Sequence, residues 1–113
     1  MQPKFTVSYL EEAVEFLESL PVKAKAKVTN NITKAAEHND RELFKKLEDD
    51  IWEFRTLNQN LHIRLFAFWD KRNNENTLVI ATHGIVKKKS KVDKKEIEKA
   101  KRIRSQYFNN ESS

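Results

Sequence analysis

Between Lys4 and Tyr9 the residues Phe5, Val7 and Tyr9 alternate with Lys4, Thr6 and Ser8, the two-residue period of a strand with one buried face. The period then changes. Leu10, Ala13, Val14, Leu17 and Leu20 recur at helical intervals, and Ser8 followed by Glu11 has capping-box spacing, so a helix is expected to begin here. Pro21 suits the first turn of a second helix. In it Ala24, Val28, Ile32 and Ala35 share one face, while Lys23, Lys25, Lys27 and Lys34 remain in water. An antiparallel helical hairpin with a structural role is expected.

His38-Asn39-Asp40 marks a break, and Leu43, Phe44 and Leu47 suggest a short helical turn or an ordered loop on the core. Ile51–Leu57 and Leu61–Asp70 are strand-like runs on either side of Asn58-Gln59-Asn60, which reads as a hairpin connection. A second polar connection, Lys71 to Asn76, leads to a strand starting at Thr77, whose apolar part is Leu78–Ala81. Three such strands make an antiparallel meander. Asp93 is an expected N-cap for a last helix that buries Ile97, Ala100, Ile103 and Tyr107, with Asn109–Ser113 as a frayed tail. The order is β-α-α-β-β-β-α and the class α+β.

A chain of 113 residues is expected to be one domain, spanning 1–113, that buries roughly 65% of its unfolded surface without staples. The absence of cysteine rules out disulfides, thiolate metal sites and a cysteine nucleophile. The N-terminus lacks an apolar signal core, and nowhere do about 18 apolar residues run together. A soluble cytoplasmic protein with no membrane partner is expected. The formal net charge is +5, but its distribution is more telling. Val86–Arg104 holds ten Lys/Arg against three Asp/Glu, and the remainder twelve against fourteen. Such a concentrated basic segment is the footprint of a nucleic-acid binder; the bland alternative is a solvated lysine-rich helix.

The stretch from Thr77 to Lys91 carries most of the candidate chemistry. It delivers His83 at the end of an apolar strand, turns at Gly84, the only glycine, and then presents Lys87, Lys88, Lys89 and Lys91. A titratable group beside fixed positive charge suits phosphate chemistry. The lysines can neutralise phosphates, stabilise a phosphorane, or act as acid or base. Arg55 groups with Ile51 and Glu53 by alternation, and Arg64 with His62, Phe66 and Phe68. An arginine in an apolar strand is costly to bury unpaired, so a buried or rim ion pair of Arg64, for example to Glu53, competes with a phosphate-binding role. His38 and His62 are expected to be incidental. Carboxylates and histidines do not fall at ligand spacing, and there is no glycine-rich phosphate loop. No metal or cofactor is expected.

Ile51-Trp52-Glu53-Phe54-Arg55, His62-Ile63-Arg64, and His83-Gly84-Ile85-Val86-Lys87-Lys88-Lys89-Ser90-Lys91 before a charged helix ending near Tyr107 together resemble the RelE/HigB family of toxin–antitoxin toxins. The likeness is to the phage-derived HigB-like branch and covers Phe5 to Phe108. It implies the compact RelE-like fold, a small antiparallel twisted sheet with the helical hairpin and C-terminal helix packed on it. It also implies a ribosome-dependent endoribonuclease that cleaves translated mRNA, without metal, by attack of the 2′-hydroxyl. The implied partners are the ribosome, mRNA and a cognate antitoxin of helix-turn-helix type. Arg64, His83, Lys87 and Lys88 are then the catalytic candidates, and Arg55, Lys89 and Lys91 the RNA-binding ones. The family motif's two lysines after the turn match Lys87 and Lys88, and a third matches Lys91. Ile85 replaces the usual aromatic, and Val92-Asp93 stands where threonine and proline are common. The rival readings are a ParE-like toxin of the same fold that inhibits DNA gyrase, and a non-enzymatic nucleic-acid-binding module.

Overall fold

The computed structural model describes residues 4–38, 40–72 and 78–112. Asn39 of the expected break, the end of the second connection with Thr77, and Ser113 of the expected tail lie outside the described residues. The elements in order are β1 (Thr6–Tyr9), α1 (Glu11–Ser19), α2 (Val22–His38), β2 (Phe44–Glu48), β3 (Ile51–Asn58), β4 (Leu61–Asp70), β5 (Leu78–Lys87) and α3 (Lys94–Ser112). The class is α+β, as periodicity indicated. There is one strand more than expected, because Phe44–Glu48 extends rather than coils.

The sheet order is β1-β5-β4-β3-β2. Strands β2 to β5 pair antiparallel in sequence, which gives the expected meander with β2 added at one edge. At the other edge β1 pairs parallel with β5, Thr6 opposite Leu78 through Tyr9 opposite Ala81, so the sheet is mixed. The β3–β4 connection narrows to Gln59-Asn60, both at positive φ (51° and 66°). That conformation follows the strand twist in a two-residue hairpin, and asparagine tolerates it well.

Helix α1 starts without the capping box. Ser8 is held in β1, Leu10 occupies the N-cap with no side-chain bond, and Glu11 and Glu12 in the first turn supply the favourable negative charge instead. Pro21 caps α2, its carbonyl accepting from the Lys25 N–H. Asp93 likewise stands at the N-cap of α3, its carbonyl accepting from the Glu96 N–H. The last helix continues through Asn109 and Asn110 to Ser112 rather than fraying after Phe108.

Each face of the sheet has its own core. On one face α1 and α2 bury Leu17, Val28 and Ile32 against Phe5, Phe54, Leu65 and Val79. On the other, α3 lays Ile97 and Ala100 over Ile51, Phe66, Phe68 and Ile80. Strand β4 is consequently buried on both faces from Ile63 to Phe68. Each large apolar side chain buried this way stabilises by about 1.5–3 kcal/mol relative to exposure.

Strand β5 does not turn at Gly84. It runs on to Lys87, and Gly84 has no positive φ. The glycine is required for space: a Cβ there would overlap the Phe16 ring, which α1 presses onto the strand. A bulge precedes it. Phe66 faces His83 while Ala67 faces Ala81, so Thr82 is the extra residue, and Ile80 and His83 both point to the α3 face.

Candidate active site

Helix α3 covers only part of its face of the sheet. Beyond its N-terminus, side chains of β3, β4 and β5 converge under the loop that joins β5 to α3. Pairing places Arg55 opposite Arg64, Glu53 opposite Phe66, and His62 opposite Lys87, and directly paired residues share a face. The expected cleft residues Arg55, Arg64 and Lys87 are therefore neighbours.

Arg64 is only 2% exposed. Its Nε lies 3.2 Å from Glu53 Oε1, and Arg55 Nε lies 3.7 Å from Glu53 Oε2. Glu53 thus sits between two guanidinium groups, 4% exposed. Burial pushes its carboxyl above the ordinary range, and the two arginines oppose that rise. Burial likewise draws the Arg64 guanidinium below its ordinary value, with Glu53 opposing. The contacts are close but poorly aligned. Among the described residues Glu53 Oε1, Arg55 Nε and Arg64 Nε are buried without an aligned hydrogen-bond partner. Buried donors in that condition are uncommon, because each forgoes its bond to water.

The loop forms the roof. An Arg64 terminal nitrogen donates to the Ser90 carbonyl (3.4 Å) and lies 3.4 Å from His62 Nδ1. Lys87 Nζ donates to the Lys91 carbonyl (2.6 Å) and pairs with Asp93 Oδ1 (3.4 Å). Lys88, Lys89 and Lys91 are exposed on this loop. The arrangement is a floor of buried and half-buried guanidinium groups with exposed ammonium groups at its mouth, suited to holding a phosphodiester and offsetting added negative charge.

His83 lies elsewhere than its sequence context suggested. It is within β5 rather than at a turn, 1% exposed, and stacked on Phe66 at 4.8 Å. Its Nδ1 is 3.0 Å from Thr82 Oγ1, and its Nε2 is 3.2 Å from Glu96 Oε1 in the first turn of α3. Burial lowers its pKa, while the Glu96 hydrogen bond opposes the shift. Both ring nitrogens are engaged, so it anchors α3 and does not open to the cleft. Two residues assigned no chemistry from sequence do belong to the cleft, Glu53 and His62. Glu53 was legible as a partner for Arg64, but its position between two arginines needs the register of β3 on β4. Among the described residues no group of His, Asp or Glu is disposed to hold a metal ion, and no helix is long and apolar enough to cross a membrane.

Residues 15–105 match the family model described as Phage derived protein Gp49-like (DUF891). Among solved structures, the chain is similar to one in the toxin-antitoxin complex RelBE2 from Mycobacterium tuberculosis, with a TM-score of 0.59 and 20% identity, over 79% of this chain and 97% of that one. It is also similar to a chain of the archaeal RelE-RelB complex from Pyrococcus horikoshii OT3, with a TM-score of 0.49 and 13% identity, over 79% and 99%. At these identities the first likeness speaks to the fold, and the second adds nothing to it. No curated relative matches.

Proposed function

Because this chain belongs to the phage-derived Gp49-like family and has the RelE fold, we propose that it is the toxin of a toxin–antitoxin pair, a ribosome-dependent endoribonuclease that cleaves translated mRNA. The observation that carries the reading is the cleft at the α3 N-terminus. Two guanidinium groups with unaligned buried N–H donors, Arg55 and Arg64, lie beneath a loop bearing Lys88, Lys89 and Lys91.

In the proposed reaction the RNA 2′-oxygen attacks the adjacent phosphorus. A 2′-O–P bond forms, the P–O5′ bond breaks, and a cyclic phosphate and a free 5′-hydroxyl result. Arg55, Arg64 and Lys87 offset the charge that builds on the equatorial oxygens. Glu53 receives the 2′ proton, since its raised carboxyl is the one titratable group between the arginines. Lys88 donates to the leaving oxygen, and Lys89 and Lys91 bind flanking phosphates. His83 contributes by fixing the first turn of α3. Access to Arg64 requires the loop to lift, breaking the contacts at Ser90 and Lys91. A cognate antitoxin, proposed to be of helix-turn-helix type, restrains the toxin by covering this mouth or by preventing ribosome docking.

The test is cleavage of ribosome-bound message by the purified protein, beside a variant carrying Lys87→Ala and Lys88→Ala. The variant should lose about 10²- to 10³-fold in rate, as when one transition-state charge stabiliser is removed. Equal rates with equal melting would remove the cleft from the mechanism. Intact message together with inhibited gyrase supercoiling would replace the reading with a gyrase-directed one.

A further inference from the structure

The opposite end of the sheet holds a hollow unrelated to the arginine cleft. It lies where β3 begins and β4 ends, beside the second half of α3, and encloses about 630 Å³, within the ~300–1,000 Å³ usual for ligand sites. Arg64 and Trp69 are five residues apart on β4, so the two places are about 17 Å apart along the strand.

Its lining combines flat aromatic surface with positive charge. Trp52 and Trp69 meet edge to face at 6.0 Å, and both are only partly buried. Lys46, Lys71, Arg72 and Arg104 surround them, with Asp50 the one acidic residue among the described residues of the lining. Arg72 is held by Asp70, with Nη2 at 2.9 Å from Oδ2, and its guanidinium lies 4.8 Å from the Phe108 ring centre. Arg104 lies 5.0 Å from the same ring and pairs with Asp50 at 3.4 Å. Lys46 and Lys71 enter no ion pair among the described residues, and the Lys71 ammonium stands 5.9 Å from the Trp69 ring. Each indole packs one side on the core, Trp52 on Phe44 and Trp69 on Phe5, but neither that packing nor the chemistry of the cleft accounts for the remaining exposed indole surface beside two lysines at one opening.

We propose that this hollow is a second nucleic-acid contact, which stacks an unpaired RNA base on the exposed surfaces of Trp52 and Trp69 and takes the neighbouring phosphates on Lys46 and Lys71. Aromatic platforms beside cations are the usual means of holding single strands, because every base has a stacking face and every linkage a charge. An acidic peptide would satisfy the lysines but leave the indoles unused. The proposal goes beyond the cleavage reading and does not depend on it.

The chain contains two tryptophans, and both line this hollow, so intrinsic tryptophan emission reports on this site alone. The intact protein is titrated with a short single-stranded oligoribonucleotide, following emission and, separately, the anisotropy of end-labelled RNA. The expected result is saturable quenching with the same midpoint by both readouts, and little quenching by the matching duplex. Lys46→Glu with Lys71→Glu should weaken binding roughly tenfold or more at moderate salt. Trp69→Leu should weaken it by about five- to hundred-fold. Trp52→Leu serves if Trp69→Leu melts early, since Trp69 also packs on Phe5. RNA binding by anisotropy without a change in emission would overturn the proposal, as would equal quenching by inorganic polyphosphate. Quenching by an acidic peptide but not by RNA would overturn it in favour of a protein partner.

Discussion

At the scale of single residues, the Glu53–Arg64 pair decides how a substitution must be read. An arginine on the rim would leave stability nearly unchanged when truncated, but this one is 2% exposed against a carboxylate that is 4% exposed. Arg64→Ala is therefore expected to destabilise the fold by about 3–5 kcal/mol, because a buried charge loses its partner. Loss of cleavage in that variant alone would say nothing about chemistry. Arg64→Met combined with Glu53→Gln removes both charges and should recover most of the melting temperature without recovering cleavage. Recovery of cleavage along with stability would place the pair in the architecture only. His83 gives a pH signature. Its folded-state pKa lies below the ordinary 6.5, so the unfolded chain takes up a proton that the folded protein refuses. Its contribution is present above about pH 6.5 and lost as pH falls toward the folded value. The melting temperature should decline over that window, and His83→Gln should flatten the decline. Glu96, Lys99 and Glu12 also face this ring and are left unchanged in the comparison.

At the scale of elements, the contact between β5 and α1 sets the path of the strand into the cleft. Gly84→Ala forces a methyl into the Phe16 ring, an overpacking expected to cost about 1–3 kcal/mol. Phe16→Val in the same chain should return part of it. Urea midpoints at constant m-value measure both; an unshifted midpoint for Gly84→Ala would mean that α1 can back away freely. The strand reading failed at this glycine for a physical reason. A lone glycine before a lysine run has the pattern of a turn, whereas close approach by a ring from another element leaves no mark in the local sequence. Strand β2 was missed for a related reason. Leu43, Phe44 and Leu47 look helical by spacing, yet Phe44 packs toward α1 and α2 while Leu47 packs toward α3, as residues three apart on a strand must. The helical stripes and the meander were legible because each element there has one wet side. For the candidate site, the composition of the cleft was legible from Arg55, Arg64 and the lysines, but the withdrawal of His83 beneath α3 depended on the bulge at Thr82.

At the scale of the whole molecule, the excess of positive over negative charge is concentrated in the β5–α3 loop and α3. If four to six basic side chains meet phosphate, the logarithm of RNA affinity should fall with the logarithm of salt at a slope of roughly −3 to −4. A flat response would mean that the lysines do not meet RNA. The parallel pairing of β1 with β5 acts on a different timescale. Thr6 waits for Leu78, and at roughly 5–20 residues per second the ribosome needs about 4–14 s to supply that partner. Until then the first strand has no neighbour, and Phe16 has no glycine to close upon. The arginine cleft is also incomplete, because Lys87 and its loop come later still. A nascent chain stalled before Leu78 emerges should be digested readily by protease, and one extended past α3 should resist. The order of synthesis therefore leaves the cleft unassembled until β5 and the loop after it have been made.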